Sequence, residues 1–159
     1  MGTTVPRVIA FEQIVIGEAR RTVFFEGREY GSGISFFLVD NDPGQGPGLH
    51  RHPYSETWTV LEGEAEITIG EDRLTARAGD TAVVGPRVWH RFVNSGTGRL
   101  RIMCVHASDT LVQEFEDGVC EPSGRVGREY GRARSCSGKS RRGRTGPGGR
   151  FGTPSFRGR

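Results

Sequence analysis

Apolar and polar residues alternate along much of the segment 7–117, and turn-forming Gly, Pro, Asn and Asp residues interrupt the alternation repeatedly. Short runs of this kind are typical of strands that bury one face. The pattern predicts strands over residues 7–16, 20–26, 34–39, 56–62, 64–69, 73–77, 81–84, 89–94 and 100–106. Residues 109–117 are predicted to form either a short helix or a closing strand. We therefore expect an all-β fold, an antiparallel sandwich or barrel.

The composition changes sharply near Pro122. Residues 1–121 contain 11 basic and 18 acidic residues, a net charge of −7, whereas residues 122–159 contain 11 basic residues and one acidic residue, a net charge of +10. The second segment is rich in Gly, Arg and Ser, and its few bulky apolar residues cannot offset the entropy lost on ordering. The sequence therefore predicts one folded domain over 1–121 and a disordered basic tail over 122–159.

The basic tail has two interpretations. Arg/Gly-rich segments with scattered aromatic residues can bind single-stranded nucleic acid, but no Arg-Gly-Gly unit is repeated here. We therefore expect a dispensable tail and no nucleic-acid partner. The N-terminus lacks a basic stretch followed by a long apolar one, and the three cysteines lack a disulfide-type spacing. These features favour a reducing, cytoplasmic location without membrane association.

Histidine residues carry the candidate chemistry. His50 and His52 share one strand face, Glu56 shares their parity if the chain stays extended between them, and His90 lies in a separate run. Two neighbouring strands can therefore aim three imidazoles and one carboxylate at one point. Two histidines and a carboxylate suit iron(II), our first choice of metal, and a third histidine also suits manganese, zinc, nickel or copper. A single His-x-His pair, by contrast, is more often a solvated surface feature.

The glycines around these residues resemble the first sequence motif of the cupin superfamily. The motif G-x5-H-x-H-x3-E-x6-G is matched at every position, by Gly44, His50, His52, Glu56 and Gly63. The resemblance covers about residues 7–117 and implies a small jelly-roll barrel, or double-stranded β-helix, with one metal ion inside. By this resemblance the metal ligands would be His50, His52, Glu56 and His90. Cupins commonly form homodimers, and the apolar run 8–16 is the expected dimer element.

The second motif of the family, G-x5-P-x-G-x2-H-x3-N, is matched in part. Gly79, His90 and Asn94 have the expected spacing, but Gly85 and Arg87 stand where Pro and Gly are usual. The departure lies in the turn before His90, so it bears on the shape of that turn more than on the histidine. Arg87 and Arg91 flank His90, and they either hold an anionic substrate at the rim or are ordinary surface charges.

An apolar cavity is expected around the metal if the strand faces that carry the ligands point inward. Its predicted lining residues, which could instead simply fill a small core, are Phe36, Leu38, Trp58, Val60, Phe92, Ile102 and Cys104. His106 shares a strand face with Ile102 and Cys104. If that face points inward, His106 is the candidate catalytic acid or base.

The donor set and the apolar lining favour a metal-dependent enzyme that takes a small-molecule substrate. Our first hypothesis is an oxygenase or dioxygenase acting on a small aromatic, phenolic or polyketide-like compound. The resemblance also allows a metal-dependent isomerase or cyclase, and a non-catalytic small-molecule-binding barrel with a structural metal. An enzyme is preferred because a binding module does not need open coordination positions on its metal.

Overall fold

A computed structural model of the protein describes residues 6–116 and 118–119. Its helical turns are α1 (Phe11–Ile14) and α2 (Gly27–Tyr30), and its strands are β1 (Val15–Ile16), β2 (Thr22–Phe25), β3 (Ser35–Asn41), β4 (His50–Arg51), β5 (Glu56–Glu62), β6 (Glu64–Ile69), β7 (Asp72–Arg77), β8 (Thr81–Val84), β9 (His90–Asn94), β10 (Leu100–His106), β11 (Glu114–Phe115) and β12 (Gly118–Val119). Neither helical turn in this part of the chain has the length or apolar character of a membrane-crossing helix. The predicted tail, 122–159, lies outside the described residues.

Within the described residues the strands form two six-stranded antiparallel sheets. The first has the strand order β1-β2-β3-β10-β5-β8, and the second has the order β12-β11-β4-β9-β6-β7. Strands distant in sequence are neighbours in both sheets; β10, for example, pairs with β3 on one side and with β5 on the other. This arrangement confirms the antiparallel jelly-roll barrel that the sequence predicts.

Burial alternates along the long strands because each sheet turns one face towards a common core. Alternate residues are buried in β3, β5, β9 and β10. The largest fully buried apolar side chains of the core are Trp58, Phe92, Ile67, Leu100 and Ile102. Burial of an apolar side chain of this size contributes about 1.5–3 kcal/mol to the stability of the fold.

The N-terminal run 7–16 is not one strand, and the prediction was wrong there. Its middle forms the helical turn α1, and only β1 pairs with the sheet. The turn forms because the backbone N–H of Ala10 donates to the side chain of Gln13 at 2.9 Å, and the N–H of Gln13 donates to the carbonyl of Ala10 at 3.0 Å. These local bonds override the β-propensity of the run. Val8 and Phe11 are exposed, and the homodimer expected through this segment stays a prediction.

The segment 108–116, which we call the closing segment, contains the predicted closing strand and no helix. Its strand β11 pairs with β4 of the second sheet. At its other end, the N–H of Arg28 donates to the carbonyl of Asp109 at 2.8 Å, and the N–H of Leu111 donates to the carboxylate of Glu26 at 3.1 Å. Because residues 26 and 28 follow β2, the closing segment ties the two sheets together.

We expect Gly63→Ala to destabilise the fold more than Gly79→Ala. Both glycines have positive φ, +85° and +96°, so alanine is strained at either position by about 1–2 kcal/mol. A Cβ at residue 63 would also lie 2.3 Å from the carbonyl oxygen of Arg99, whereas a Cβ at residue 79 meets no atom within 4 Å. Urea unfolding of both variants measures the difference. Equal losses of unfolding free energy would show that the turn at residue 63 can move away from residue 99.

Candidate metal centre

Both sheets contribute to a cluster of four buried donors. His50 and His90 lie opposite each other on β4 and β9 of the second sheet, and His52 follows β4. Glu56 begins β5 of the first sheet. All four residues are buried, and one donor atom of each lies within 4.8 Å of the others. The structure therefore brings together the four predicted ligands in what we call the four-donor cluster.

Backbone carbonyls fix the three histidine rings of this cluster. Each Nδ1 lies within hydrogen-bond distance of a carbonyl oxygen: His50 of Gly48 at 2.8 Å, His52 of Val112 at 2.6 Å and His90 of Val88 at 2.7 Å. A carbonyl only accepts, so Nδ1 carries the proton and donates it. In the neutral ring Nε2 then holds a free lone pair, the tautomer and orientation that metal ligation requires.

Burial favours the neutral form of the imidazole of His50. It is the main reason that the pKa of His50 falls to about 3, and the neighbouring His90 lowers it further. A neutral imidazole is the form that binds metal ions. His50 is therefore neutral at pH 7, and its Nε2 is free to bind a metal ion.

The carboxylate of Glu56 faces two of these lone pairs. Its Oε2 lies 3.2 Å from Nε2 of His52 and 3.0 Å from Nε2 of His90. These three buried atoms have no hydrogen-bond partner within the described residues. Because a divalent cation would satisfy all of them, the donor set fits a metal ion.

His106 is a fifth buried group beside the cluster. It pairs with Glu56 across β10 and β5, and its Nε2 lies 3.2 Å from Oε1 of that carboxylate. Burial is the main reason that the pKa of His106 falls to about 4, so the ring is neutral near pH 7. His106 lies on the inward-facing side of β10, as a catalytic histidine requires. The catalytic role itself stays a prediction.

The predicted cavity lining was wrong for Phe36 and Leu38. Both are only partly buried and lie on the outer face of β3, whereas Phe37 and Val39 are buried in the core. The physical reason is that this strand carries apolar side chains on both faces, and on its outer face Phe36 stacks on Phe25 of the neighbouring strand β2. Alternation could not therefore decide which set of side chains points inward.

The other five predicted lining residues, Trp58, Val60, Phe92, Ile102 and Cys104, lie on the inner faces and are buried. The ring of Trp58 lies 5.3 Å from those of both His90 and Phe92, so aromatic side chains form one wall of the donor cluster. Burial raises the pKa of the Cys104 thiol well above its usual value, so the thiol stays neutral. Contact of these five residues with a substrate stays a prediction.

Tyr54 is a site residue that the sequence did not reveal. Its hydroxyl accepts a hydrogen bond from the N–H of Val112 at 2.8 Å and lies 3.3 Å from the carbonyl of Val112, the same carbonyl that accepts from His52. Burial raises the pKa of Tyr54 to about 12, which keeps the hydroxyl protonated. Tyr54 thus holds the closing segment against His52. Its one sequence signal was an aromatic residue two positions after the second histidine.

The two arginines around His90 have different environments. Arg91 lies on the opposite face of β9, so strand alternation points it away from the four-donor cluster. Arg87 lies in the turn before β9, and its backbone N–H donates to the carbonyl of His52 at 2.7 Å. Of the two, Arg87 alone is close to the site.

Comparison with known proteins gives a family match for the central part of the barrel. The family model described as "Cupin domain" matches residues 37–106, which include all four donors and His106. An uncharacterized protein of Methanocaldococcus jannaschii is 33% identical over 57 residues, which make up 35% of this chain and 46% of that protein. The chain therefore matches less than half the length of this curated relative.

Solved structures of oxalate decarboxylases are similar in fold. The Bacillus subtilis oxalate decarboxylase, studied for its Mn(II) centres, has a TM-score of 0.55 and 22% identity over 60% of this chain and 28% of that chain. The Lactobacillus farciminis oxalate decarboxylase, solved as a formate complex, has a TM-score of 0.55 and 22% identity over 60% of this chain and 31% of that chain. At this identity the likeness shows the fold alone.

We expect His50→Ala and Glu56→Ala to abolish stoichiometric metal binding. Each removes a donor, so the loss should exceed the roughly 10- to 100-fold that is typical of changes outside the ligand set. His106→Gln, and deletion of residues 122–159, should leave the metal bound. Elemental analysis of dialysed protein, with circular dichroism to verify folding, measures this. Metal retained by His50→Ala would contradict the cluster, and metal lost on deletion would show that the tail takes part.

We also expect Tyr54→Phe to weaken zinc binding by roughly 10-fold, the lower end of the effect of groups that orient ligands. The substitution removes only the hydroxyl that holds Val112 against His52. Tyr30→Phe is the matched control, because the Tyr30 ring stacks on Phe25 in another part of the fold. Competition with a chromophoric chelator gives both affinities. An unchanged affinity in Tyr54→Phe would show that the closing segment holds His52 without the hydroxyl.

Proposed function

This chain belongs to the cupin superfamily, and from this premise we propose that it is a metal-dependent enzyme, more narrowly an oxygenase acting on a small aromatic, phenolic or polyketide-like molecule. The observation that carries the proposal is the convergence of three imidazole lone pairs and one carboxylate inside an apolar barrel. A divalent ion held there supplies Lewis acidity, or as iron(II) the activation of dioxygen.

The residues of the chain have separate tasks in this proposal. The carbonyls of Gly48, Val88 and Val112 hold the histidines in the tautomer that binds metal. The aromatic wall formed by Trp58 and Phe92 excludes water from one side, which strengthens electrostatic interactions at the site. The single charge of the carboxylate offsets only half of a divalent cation. The site therefore favours a substrate oxygen that is negatively charged or becomes so.

Iron(II) is the metal that we propose first, with manganese(II) as the alternative. A mixed nitrogen and oxygen donor set accepts both ions, and supply in the cell often decides between them. The Mn(II) centres of the Bacillus subtilis oxalate decarboxylase support the alternative. The nitrogen-rich set equally accepts zinc, which gives the experiment a redox-inactive control.

A metal-dependent isomerase or cyclase is the second candidate, and the position of His106 favours it. Such reactions need a group that takes a proton from one substrate atom and returns it to another. A neutral imidazole meets this need, and Nε2 of His106 lies within the buried site, 3.2 Å from the carboxylate of Glu56. In an oxygenase the same residue would hold or move the proton of a phenolic hydroxyl.

We expect the iron(II)-loaded protein to consume dioxygen with at least one member of a panel of phenols and diketones, and the zinc-loaded protein to consume none. His106→Gln should lower kcat by about 10²–10⁴, the usual contribution of a general acid or base, and should keep its metal. An oxygen electrode and product analysis by mass spectrometry measure these effects.

Turnover and oxygen uptake, measured with each metal in turn, distinguish the three hypotheses. Turnover without oxygen uptake, in the zinc-loaded and iron-loaded protein alike, would replace the oxygenase by an isomerase or cyclase. Metal binding without turnover by any loaded form would leave a non-catalytic binding barrel with a structural metal.

A further inference from the structure

A cleft of about 390 Å³ opens on the surface beside the four-donor cluster. The residues that line it are Arg51, His52, Pro53, Arg87, Val112 and Glu114. His52 belongs to the four-donor cluster, and Val112 supplies the carbonyl that holds its ring. The cleft therefore lies against the outer side of His52, whose ring is buried beneath it, along the edge where the closing segment packs on β4.

The charges that line this cleft do not cancel. The guanidinium of Arg51 makes two hydrogen bonds to the carboxylate of Glu114, at 2.7 and 3.0 Å, and lies 4.4 Å over the ring of Trp89. This pair is therefore neutral as a whole and fixed in place. Arg87 is exposed, and none of the ion pairs within the described residues includes it. One uncompensated positive charge remains at the mouth of the cleft.

Arg87 also has a backbone conformation that arginine rarely adopts. Its φ is +62°, in the left-handed region that favours glycine. The family motif usually has glycine at this position, and glycine would make the same turn without strain. The turn is held by the hydrogen bond from the N–H of Arg87 to the carbonyl of His52, so the strain is not released by a small rotation. Strained positions of this kind are concentrated at ligand-binding sites.

We propose that Arg87 recognises a carboxylate group of the substrate, and that this cleft is the way to the metal centre. The inference rests on the proposed function and narrows its substrate to small carboxylic acids that carry a further oxygen-bearing group, such as hydroxy-substituted aromatic acids. A guanidinium matches a carboxylate with two parallel hydrogen bonds, which a lysine cannot reproduce. The further oxygen-bearing group is the one that a metal centre with a net positive charge attracts.

The experiment measures the binding of two carboxylates, benzoate and salicylate, and of their uncharged amides by isothermal titration calorimetry. The variants are Arg87→Gly, Arg87→Lys and, as a matched control, Arg20→Gly. Arg20 is another exposed arginine with positive φ, +49°, but it pairs with Glu12 in another part of the fold. Each protein is titrated with and without zinc, and its metal content is recorded separately.

We expect Arg87→Gly to weaken carboxylate binding by roughly 10- to 100-fold, as for a lost hydrogen bond between charged groups. Arg87→Lys should recover part of this loss, because it keeps the charge but not the planar fork. The affinity of Arg20→Gly for the carboxylates should equal that of the wild type. Both glycine variants should raise the urea midpoint, because each relieves a strained backbone, and this also shows that they fold.

Two results would overturn the inference while the proposed function stands. One is a metal-loaded wild-type protein that binds the amides as tightly as the acids. The other is an Arg87→Gly variant whose carboxylate affinity equals that of the wild type. Failure of the proposed function is read from a different measurement, since it would appear as absent metal or absent turnover in the wild-type protein itself.

Discussion

The carboxylate of Glu56 lies about 3 Å from two imidazole nitrogens that hold lone pairs, in a place almost wholly removed from water. Lone pairs and a carboxylate repel one another at this distance, and burial of an unpaired charge is unfavourable by several kcal/mol. A cation that all of them share turns the repulsion into attraction. Metal binding and folding of this region are therefore linked, because ligands held in a folded site bind what the unfolded chain cannot. The hydrogen bonds from the histidine Nδ1 atoms to backbone carbonyls also favour metal binding, because they prevent the rings from turning their Nε2 lone pairs away from the cation.

The register of the two sheets determines where this cluster forms. Direct pairing of His50 with His90 places two donors side by side in the second sheet. Direct pairing of Glu56 with His106 places a carboxylate beside an imidazole that is outside the four-donor cluster, both in the first sheet. Because residues two apart share a face, the next inward position after the carboxylate is occupied by the apolar wall that contains Trp58. One residue of slippage in either sheet would reverse these faces and disperse the cluster.

Alternation predicted the positions that face the core wherever polar residues separate apolar ones. It placed His106 on one strand face with Ile102 and Cys104, and in the structure that face is buried. It failed at Phe36 and Leu38 because both faces of that strand are apolar, so the sequence carries no contrast from which to choose. It could not reveal the link between Tyr54 and Val112, in which a side-chain hydroxyl bonds to the backbone of a residue 58 positions away. Contacts of that kind depend on how the closing segment crosses from one sheet to the other, and a local pattern does not encode that path.

The turn before His90 is where the chain departs from the family motif, yet its backbone still adopts the left-handed conformation that the motif's glycine favours. The geometry of the turn is therefore imposed by its neighbours, through the hydrogen bond to the carbonyl of His52 and the start of β9. With the backbone constrained in this way, the side chain at residue 87 is free to vary without displacing a ligand. Metal binding and substrate recognition can then be separate properties of adjacent residues. The inner strand faces hold the donors, while the turn carries a charge that meets solvent and any anion that approaches the centre.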